Sequence, residues 1–337
     1  MNIIKYKTSV AIIAMGFLAT GCEKSPAPSA AIPAKPPVAA SAAPAASNPA
    51  AAPAPDKTAA LQREAQSTYS KVYNKLIAEH GGTASAYKNY LAWQLLSKKP
   101  RRGLDEFDSG SEGFKETLDT LQKARVTGSG DAQLDAAVDS LISSGKQLLA
   151  AWSPMDSYLN TKGFLEDNYA RARAADSEMK AGFTATLASI DGVGNALDRV
   201  QDQQRLDRMA KLKAAGDMVN YNMLASMAAA KSLMGVIDQA QGRASAKDKA
   251  WIGKADAAVA VVETAQQEYT AALNKAKTEA APGKEPNSSH NSMTSYMQSM
   301  IGQVREFKAT GHPGHLGNAV KNYNSMVENY NGRLNKF

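Results

Sequence analysis

The chain has 337 residues, 39 Lys+Arg against 32 Asp+Glu, and a single cysteine. Length allows one large domain or two small ones, and a lone cysteine excludes any disulfide within one chain. The mildly basic balance gives no case for nucleic acid, which takes a concentrated basic face. Aromatic residues are 7% of the chain and alanine is abundant, which favours close-packed helices.

The first 21 residues are expected to form a lipoprotein signal peptide. Lys5 and Lys7 give a short positive start, and Thr8 to Leu18 is almost wholly apolar. That run has the length of a signal-peptide core and is too short to span a bilayer as a helix. Leu18-Ala19-Thr20-Gly21-Cys22 then resembles the bacterial lipobox, with small side chains before a thiol that accepts a diacylglyceryl group. It departs from that pattern at Ala19, where leucine is usual. An ordinary cleaved signal with a free thiol, or an uncleaved membrane helix, are the alternatives. Glu23 follows the cysteine, which by resemblance to enterobacterial sorting favours the outer membrane, inner leaflet, facing the periplasm. Each buried methylene of a lipid adds about 0.8 kcal/mol, so two or three chains at Cys22 would anchor durably. With Lys5 and Lys7 removed, 37 basic side chains face 32 acidic ones.

Residues 22–57 are expected to be the lipidated N-terminus and a disordered Ala/Pro linker. They hold almost no large apolar residue and cannot offset their ordering entropy. In extended polyproline form, roughly 34 residues reach on the order of 100 Å. Such a run is a spacer for the body or a passive linker.

Residues 58–337 are expected to form the helical bundle domain. Leu61, Ala65, Tyr69, Val72 and Leu76 recur at helical steps, and Gly81-Gly82 stops them. The second helix turns Tyr87, Tyr90, Leu91 and Leu95 inward, places Trp93 near the edge, and ends before Pro100. A loop with Gly103, Gly110 and Gly113 leads to a helix over about 114–125. After Gly128 and Gly130, Asp131 is a good N-cap for a helix with Leu134, Val138, Leu141, Gly145, Leu148 and Trp152 on one seam, kinked or ended by Pro154. Phe183, Leu187, Ile190, Gly194 and Leu197 form a second stripe; Met209, Leu212, Gly216, Val219, Met223 and Leu233 form a third. The phase slips between Leu197 and Met209. Either one long helix over about 165–241 shifts its contact face there, or two helices meet in a tight turn. The absence of Gly or Pro in the slip favours one helix. Ser245 to Asp248 resembles a capping box before Trp251, Ala255, Val259, Val262, Tyr269 and Leu273. Pro282 and Pro286 make a turn, and two last helices cover about 291–310 and 316–334. No strand alternation occurs. The fold class is all-α, an elongated multi-helix bundle in one piece, because no second linker follows.

Tyr69, Tyr73-Asn74-x-Leu76, Tyr87-x-x-Tyr90-Leu91-x-Trp93, the alanine-rich helical middle, Tyr323-Asn324 and Tyr330-Asn331 resemble the YiiG-like bacterial lipoproteins, a domain-of-unknown-function family (DUF3829-type). The resemblance covers roughly 60–335. It implies an envelope location and a helical fold, and implies no activity.

The chemistry in the sequence is sparse. His312-Pro313-Gly314-His315 pairs two imidazoles, but zinc takes three or four ligands, and a turn between helices is the better reading. His80 lies at a helix end and His290 near a helix start with no evident partner. Ser143-x-x-Lys146 matches one element of penicillin-binding enzymes without its companions. Asp105-Glu106 and Glu166-Asp167 are acidic pairs on surfaces. Lys98-Lys99-Pro100-Arg101-Arg102 could touch lipid phosphate or an acidic partner, yet Asp105, Glu106 and Asp108 screen it. The methionines from Met209 to Met234 pack a core or line an adaptable groove, and the Asn- and Tyr-rich last helix packs a core or stacks on glycan. No catalytic, cofactor or metal residue is expected; Cys22 is the one site, for lipidation. The expected function is a non-enzymatic, membrane-anchored envelope protein that contacts an unidentified envelope protein. The alternative is a module holding a lipid, glycan or other small molecule between helices.

The lipidation reading has a direct test. Membrane fractionation and mass spectrometry of the native N-terminus should find an acyl mass on Cys22, and Cys22→Ala should release the protein from the membrane.

Overall fold

The computed structural model describes residues 57–78, 80–93, 110–239, 245–281 and 286–334. The expected signal peptide, Cys22, the Ala/Pro linker up to residue 56, Leu95, Pro100, Gly103, Pro282 and the basic run with Asp105, Glu106 and Asp108 lie outside them, while Lys57, placed at the end of the linker, opens the first helix. Among the described residues there are ten α-helices and no strand: α1 Lys57–Leu76, α2 Thr83–Ala92, α3 Gly110–Thr127, α4 Ala132–Asn160, α5 Phe164–Asp167, α6 Ala170–Ala214, α7 Met218–Gln239, α8 Lys249–Glu279, α9 Ser289–Thr310 and α10 Gly314–Asn329, closed by a π-turn at Tyr330–Leu334.

Successive long helices run antiparallel. Arg125 of α3 meets Asp139 of α4, and Ser144 of α4 meets Ser189 of α6. Ser226 of α7 bonds the Ala265 carbonyl of α8, and Glu263 of α8 meets Arg305 of α9. The packed faces form two apolar clusters. The first joins α1–α4 to the front of α6, from Ala172 to Val200. The second joins α7–α10 and the π-turn, with Met209 and Leu212 of α6 packed on it. At about 1.5 Å per residue, the 45-residue α6 is about 68 Å long and serves both.

The α4 seam is as the spacing predicts: Leu134, Val138, Leu141, Gly145, Leu148 and Trp152 are all buried. So is the α8 stripe from Trp251 to Leu273. Asp131 caps α4, its carboxylate accepting the Leu134 N–H at 2.8 Å. Phe183 centres an aromatic group, stacked on Tyr87 at 5.0 Å and tilted on Trp152 at 5.0 Å.

Several expectations are corrected. The stretch 165–241 is two main helices, not one, and the break falls at Gly216 (φ +73°) rather than in the phase slip. Gly216 sat at seam spacing, but its left-handed backbone ends α6. Trp93 is buried, tilted against Tyr90 at 5.9 Å, and not at the edge. Leu61 is exposed, one turn beyond the α1 contact face. Gly110 and Gly113 belong to α3 and not to a loop: the Asp156 carboxylate accepts the Ser111 N–H, and Gly110 lies so close to the Trp152 indole that no Cβ fits. Pro154 does not end α4, which runs on to Asn160 because Met155, Asp156, Tyr158 and Leu159 are buried beyond it. That packing outweighs the roughly 3 kcal/mol that an internal proline costs. Asp248, not Ser245, caps α8, accepting from the Ala250 and Trp251 N–H groups.

Two glycines of α6 give opposite predictions. A Cβ at Gly192 meets nothing, whereas one at Gly194 would lie 2.6 Å from the Tyr73 hydroxyl. In chemical denaturation Gly192→Ala should stabilise by up to about 1 kcal/mol, and Gly194→Ala should destabilise by about 1–3 kcal/mol.

Candidate functional site

The sequence-level candidates disperse. Ser143 and Lys146 are exposed on the outer face of α4. Asp167 accepts a 2.6 Å hydrogen bond from the Tyr158 hydroxyl, which holds its carboxyl below the usual range. His80 is exposed in the turn beyond α1. The rings of His312 and His315 lie edge to face, 5.7 Å apart. His315 Nδ1 is 3.1 Å from Gln303 Oε1 and 3.0 Å from Glu306 Oε2, so it has a carboxylate neighbour that lies nine residues away in sequence. Among the described residues no group of three His, Cys, Asp or Glu side chains is placed to hold a metal. No described helix is long and apolar enough to cross a membrane.

His290 does have a partner, contrary to the sequence reading. It is buried, and its Nδ1 shares a 2.6 Å hydrogen bond with the Tyr269 hydroxyl of α8. Of the methionines from Met209 to Met234, Met223, Met227 and Met234 are buried core, Met218 is exposed, and Met209 is half-buried at the edge of a trough over α7; Met293, Met297, Met300 and Met326 are buried too. Tyr323 and Tyr330 are buried too, so neither offers a face for stacking on glycan.

The trough, of about 830 Å³, runs over α7 between α6 and α8. Its floor is small: Ala225, Ala228, Ala229 and Ser232 of α7. One wall is α6, with Asp202, Arg205, Leu206 and Met209; the other is α8, with Ala260, Val261, Thr264 and Ala265. Leu206 is 55% exposed and Val261 57% exposed, on opposite rims. The Ser232 and Thr264 hydroxyls donate to carbonyls four residues back in their own helices, at 3.1 and 3.0 Å. Hydroxyls folded back in this way present little polar character to the trough. Four charged side chains line it, Asp202, Arg205, Lys231 and Glu268; Arg205 pairs with Asp202 at 2.6 Å, and Lys231 with Asp198 at 2.8 Å.

Sequence reasoning did not find this trough. Its only signal is the Ala225–Ala228/229–Ser232 spacing, a second face of α7 beside the buried Met223–Met227–Met234 face. Alanine at such positions reads equally well as ordinary helix.

The described body is all-helical, with an open trough over α7. Residues 67–332 match the family model described as "Protein of unknown function (DUF3829)", and the chain belongs to that family. The match spans from α1 into the π-turn, so it takes in both apolar clusters. No curated protein matches the chain. No solved structure matches it either.

Buried His290 predicts a pH dependence. Burial, aided by Lys277, holds its imidazole below the ordinary 6.5 and outweighs Asp217. The unfolded chain therefore takes up the proton first as pH falls. This contribution is complete above about 6.5 and declines below it, toward the lower folded value. Thermal melts from about pH 7.5 to 5.5 should fall more steeply for the native protein than for His290→Gln.

Proposed function

We propose that this is a lipid-anchored envelope protein that works by contact rather than catalysis. In this reading Cys22 is acylated and holds the chain at the inner leaflet of the outer membrane. Residues 22–57 tether the body, and the α6–α7–α8 trough receives an amphipathic helix of an envelope protein. The trough carries the reading. A floor of alanines lets a partner helix approach to about the 8–10 Å interaxial distance of packed helices. Leu206 and Val261 on the two rims are placed to cover its sides. Each such side chain contributes about 1.5–3 kcal/mol when taken fully out of water. The locally paired rim charges supply a polar border of the kind that surrounds an apolar interface core. An extended apolar trough with helical walls suits the helix-in-groove mode of recognition.

The small-molecule alternative expected a cavity lined by Met and Tyr. The trough has Met209 and no Tyr among its lining residues. Its charged lining residues Arg205 and Lys231 pair with Asp202 and Asp198 rather than standing open to a small ligand.

Site-specific photo-crosslinking in cells tests the contact. A photoreactive residue at position 206 or 261 should capture a discrete protein, and one at Val126, which is 88% exposed on α3, should not. Ala228→Leu, which fills the floor, should abolish the adduct at unchanged protein level, and Cys22→Ala should reduce it. No adduct from 206 and 261, or adducts insensitive to Ala228→Leu, would refute the trough as the docking surface.

A further inference from the structure

We propose that a second cleft, between α2 and α3 in the first apolar cluster, binds a small organic anion: a carboxylate or phosphate monoester with a flat apolar body. The cleft holds about 190 Å³, below the usual range of drug-sized pockets, which limits the occupant to a fragment-sized molecule. Gly82, the N-cap of α2, and Ala86 of α2 line it on one side, Gly110 and Gly113 of α3 on another, and Trp152 and Phe114 give it an aromatic wall, their rings 5.8 Å apart. A Cβ at Gly113 would meet nothing within 4 Å.

Three observations define the ligand. Thr83 lines the cleft and is 3% exposed, and its hydroxyl has no hydrogen-bond partner. A buried hydroxyl without a partner is unusual in a native fold and calls for an acceptor or donor from outside. Thr117, the neighbouring hydroxyl, is already committed to the Gly113 carbonyl at 2.7 Å. Next, the first turn of α2 lines the same cleft, and its N-cap is Gly82, which supplies no side-chain cap. Uncapped first-turn N–H groups and the positive end of the helix dipole both favour an anion. Last, Lys75 is the one charged side chain among the described lining residues, and no Asp or Glu joins it. The Asp156 carboxylate caps Ser111 at the start of α3 and does not line the cleft. The aromatic wall supplies the apolar half of the recognition, since a flat ring stacks on indole and phenyl faces. This site lies in the other cluster from the trough and does not depend on it.

Isothermal titration of the full-length chain with phenyl phosphate and with benzoate tests the site, with phenol and inorganic phosphate as comparators. At least one of the two aromatic anions should bind, and phenol and inorganic phosphate should each be weaker by about tenfold or more. Lys75→Gln should weaken the aromatic anion by about tenfold. Thr83→Val should weaken it without lowering the melting temperature, because the hydroxyl bonds nothing in the free protein. Gly113→Leu should abolish binding while the protein stays folded, because the new side chain enters open space. Absence of binding by both anions at about 10 mM to folded protein would overturn the proposal. So would phenol binding as tightly as phenyl phosphate, or full binding by Gly113→Leu.

Discussion

Everything in this fold is set out along one uninterrupted helix. α6 runs from Ala170 to Ala214 without a break, and both apolar clusters are built against it. Its backbone hydrogen bonds make it a stiff rod, so the two clusters share an axis instead of meeting through a loop. The apolar face serves the first cluster through Val200, and Met209 and Leu212 serve the second. Between them the helix is mostly polar, and its side chains reach out to both ends. Arg199 meets the Asp131 cap of α4 at 2.5 Å, Gln204 donates to the Gln66 side-chain carbonyl of α1 at 2.9 Å, and Arg208 donates to the Tyr330 hydroxyl at 2.8 Å. Arg199 is nearly half exposed, so its ion pair contributes little energy. These contacts orient; buried apolar area holds.

With a single cysteine in the chain, that holding falls to packing. The structure meets the demand with small residues opposite large ones. Leu118 lies where a Cβ on Gly145 would stand, and the Tyr73 ring lies likewise against Gly194. Burial, with Asp198, Asp191 and Asp238 nearby, pushes the Tyr73 hydroxyl up to about 12, so it stays protonated at any physiological pH. In both cases a large side chain fills what the small one vacates, as close packing of a protein interior requires. Along α7 the same device appears without its filler. Ala225, Ala228 and Ser232 make room, and nothing from this chain enters it among the described residues.

How far the sequence could be read follows from this design. Seams of large apolar residues at steps of three and four were legible on α4 and α8, because burial of such residues is what makes a helix pack. Glycine was not. Gly145, Gly194 and Gly216 all stand at seam spacing, yet the first two are helix-contact positions and the third has φ +73° and ends α6. The residue type is identical and only the backbone angle differs, which spacing does not encode. Gly110 misled in the opposite sense, suggesting a loop where it permits contact with Trp152. The Tyr269–His290 pair joins residues 21 apart on different helices, so neither announced the other. Both candidate sites were illegible for one reason. They are spaces bordered by alanine and glycine, and composition records what is present, not what is left open.

The two spaces differ in kind, and the difference follows from their polar groups. In the trough, hydroxyls fold back on their own helices, charges pair along the rim, and exposed Leu206 and Val261 supply what an incoming surface would cover. Such a surface offers area with little directional chemistry, which suits a helix whose own backbone is already satisfied. The α2–α3 cleft is several-fold smaller and has the opposite character. Its Thr83 hydroxyl is unpaired, its α2 N-terminus has no side-chain cap, and Lys75 is its one charge among the described lining residues. Directional groups left unsatisfied are costly to a fold, and they discriminate between ligands for the same reason: the right occupant removes the cost and a wrong one leaves it in place. On the two proposed readings, a small molecule and a protein would occupy separate surfaces of the body.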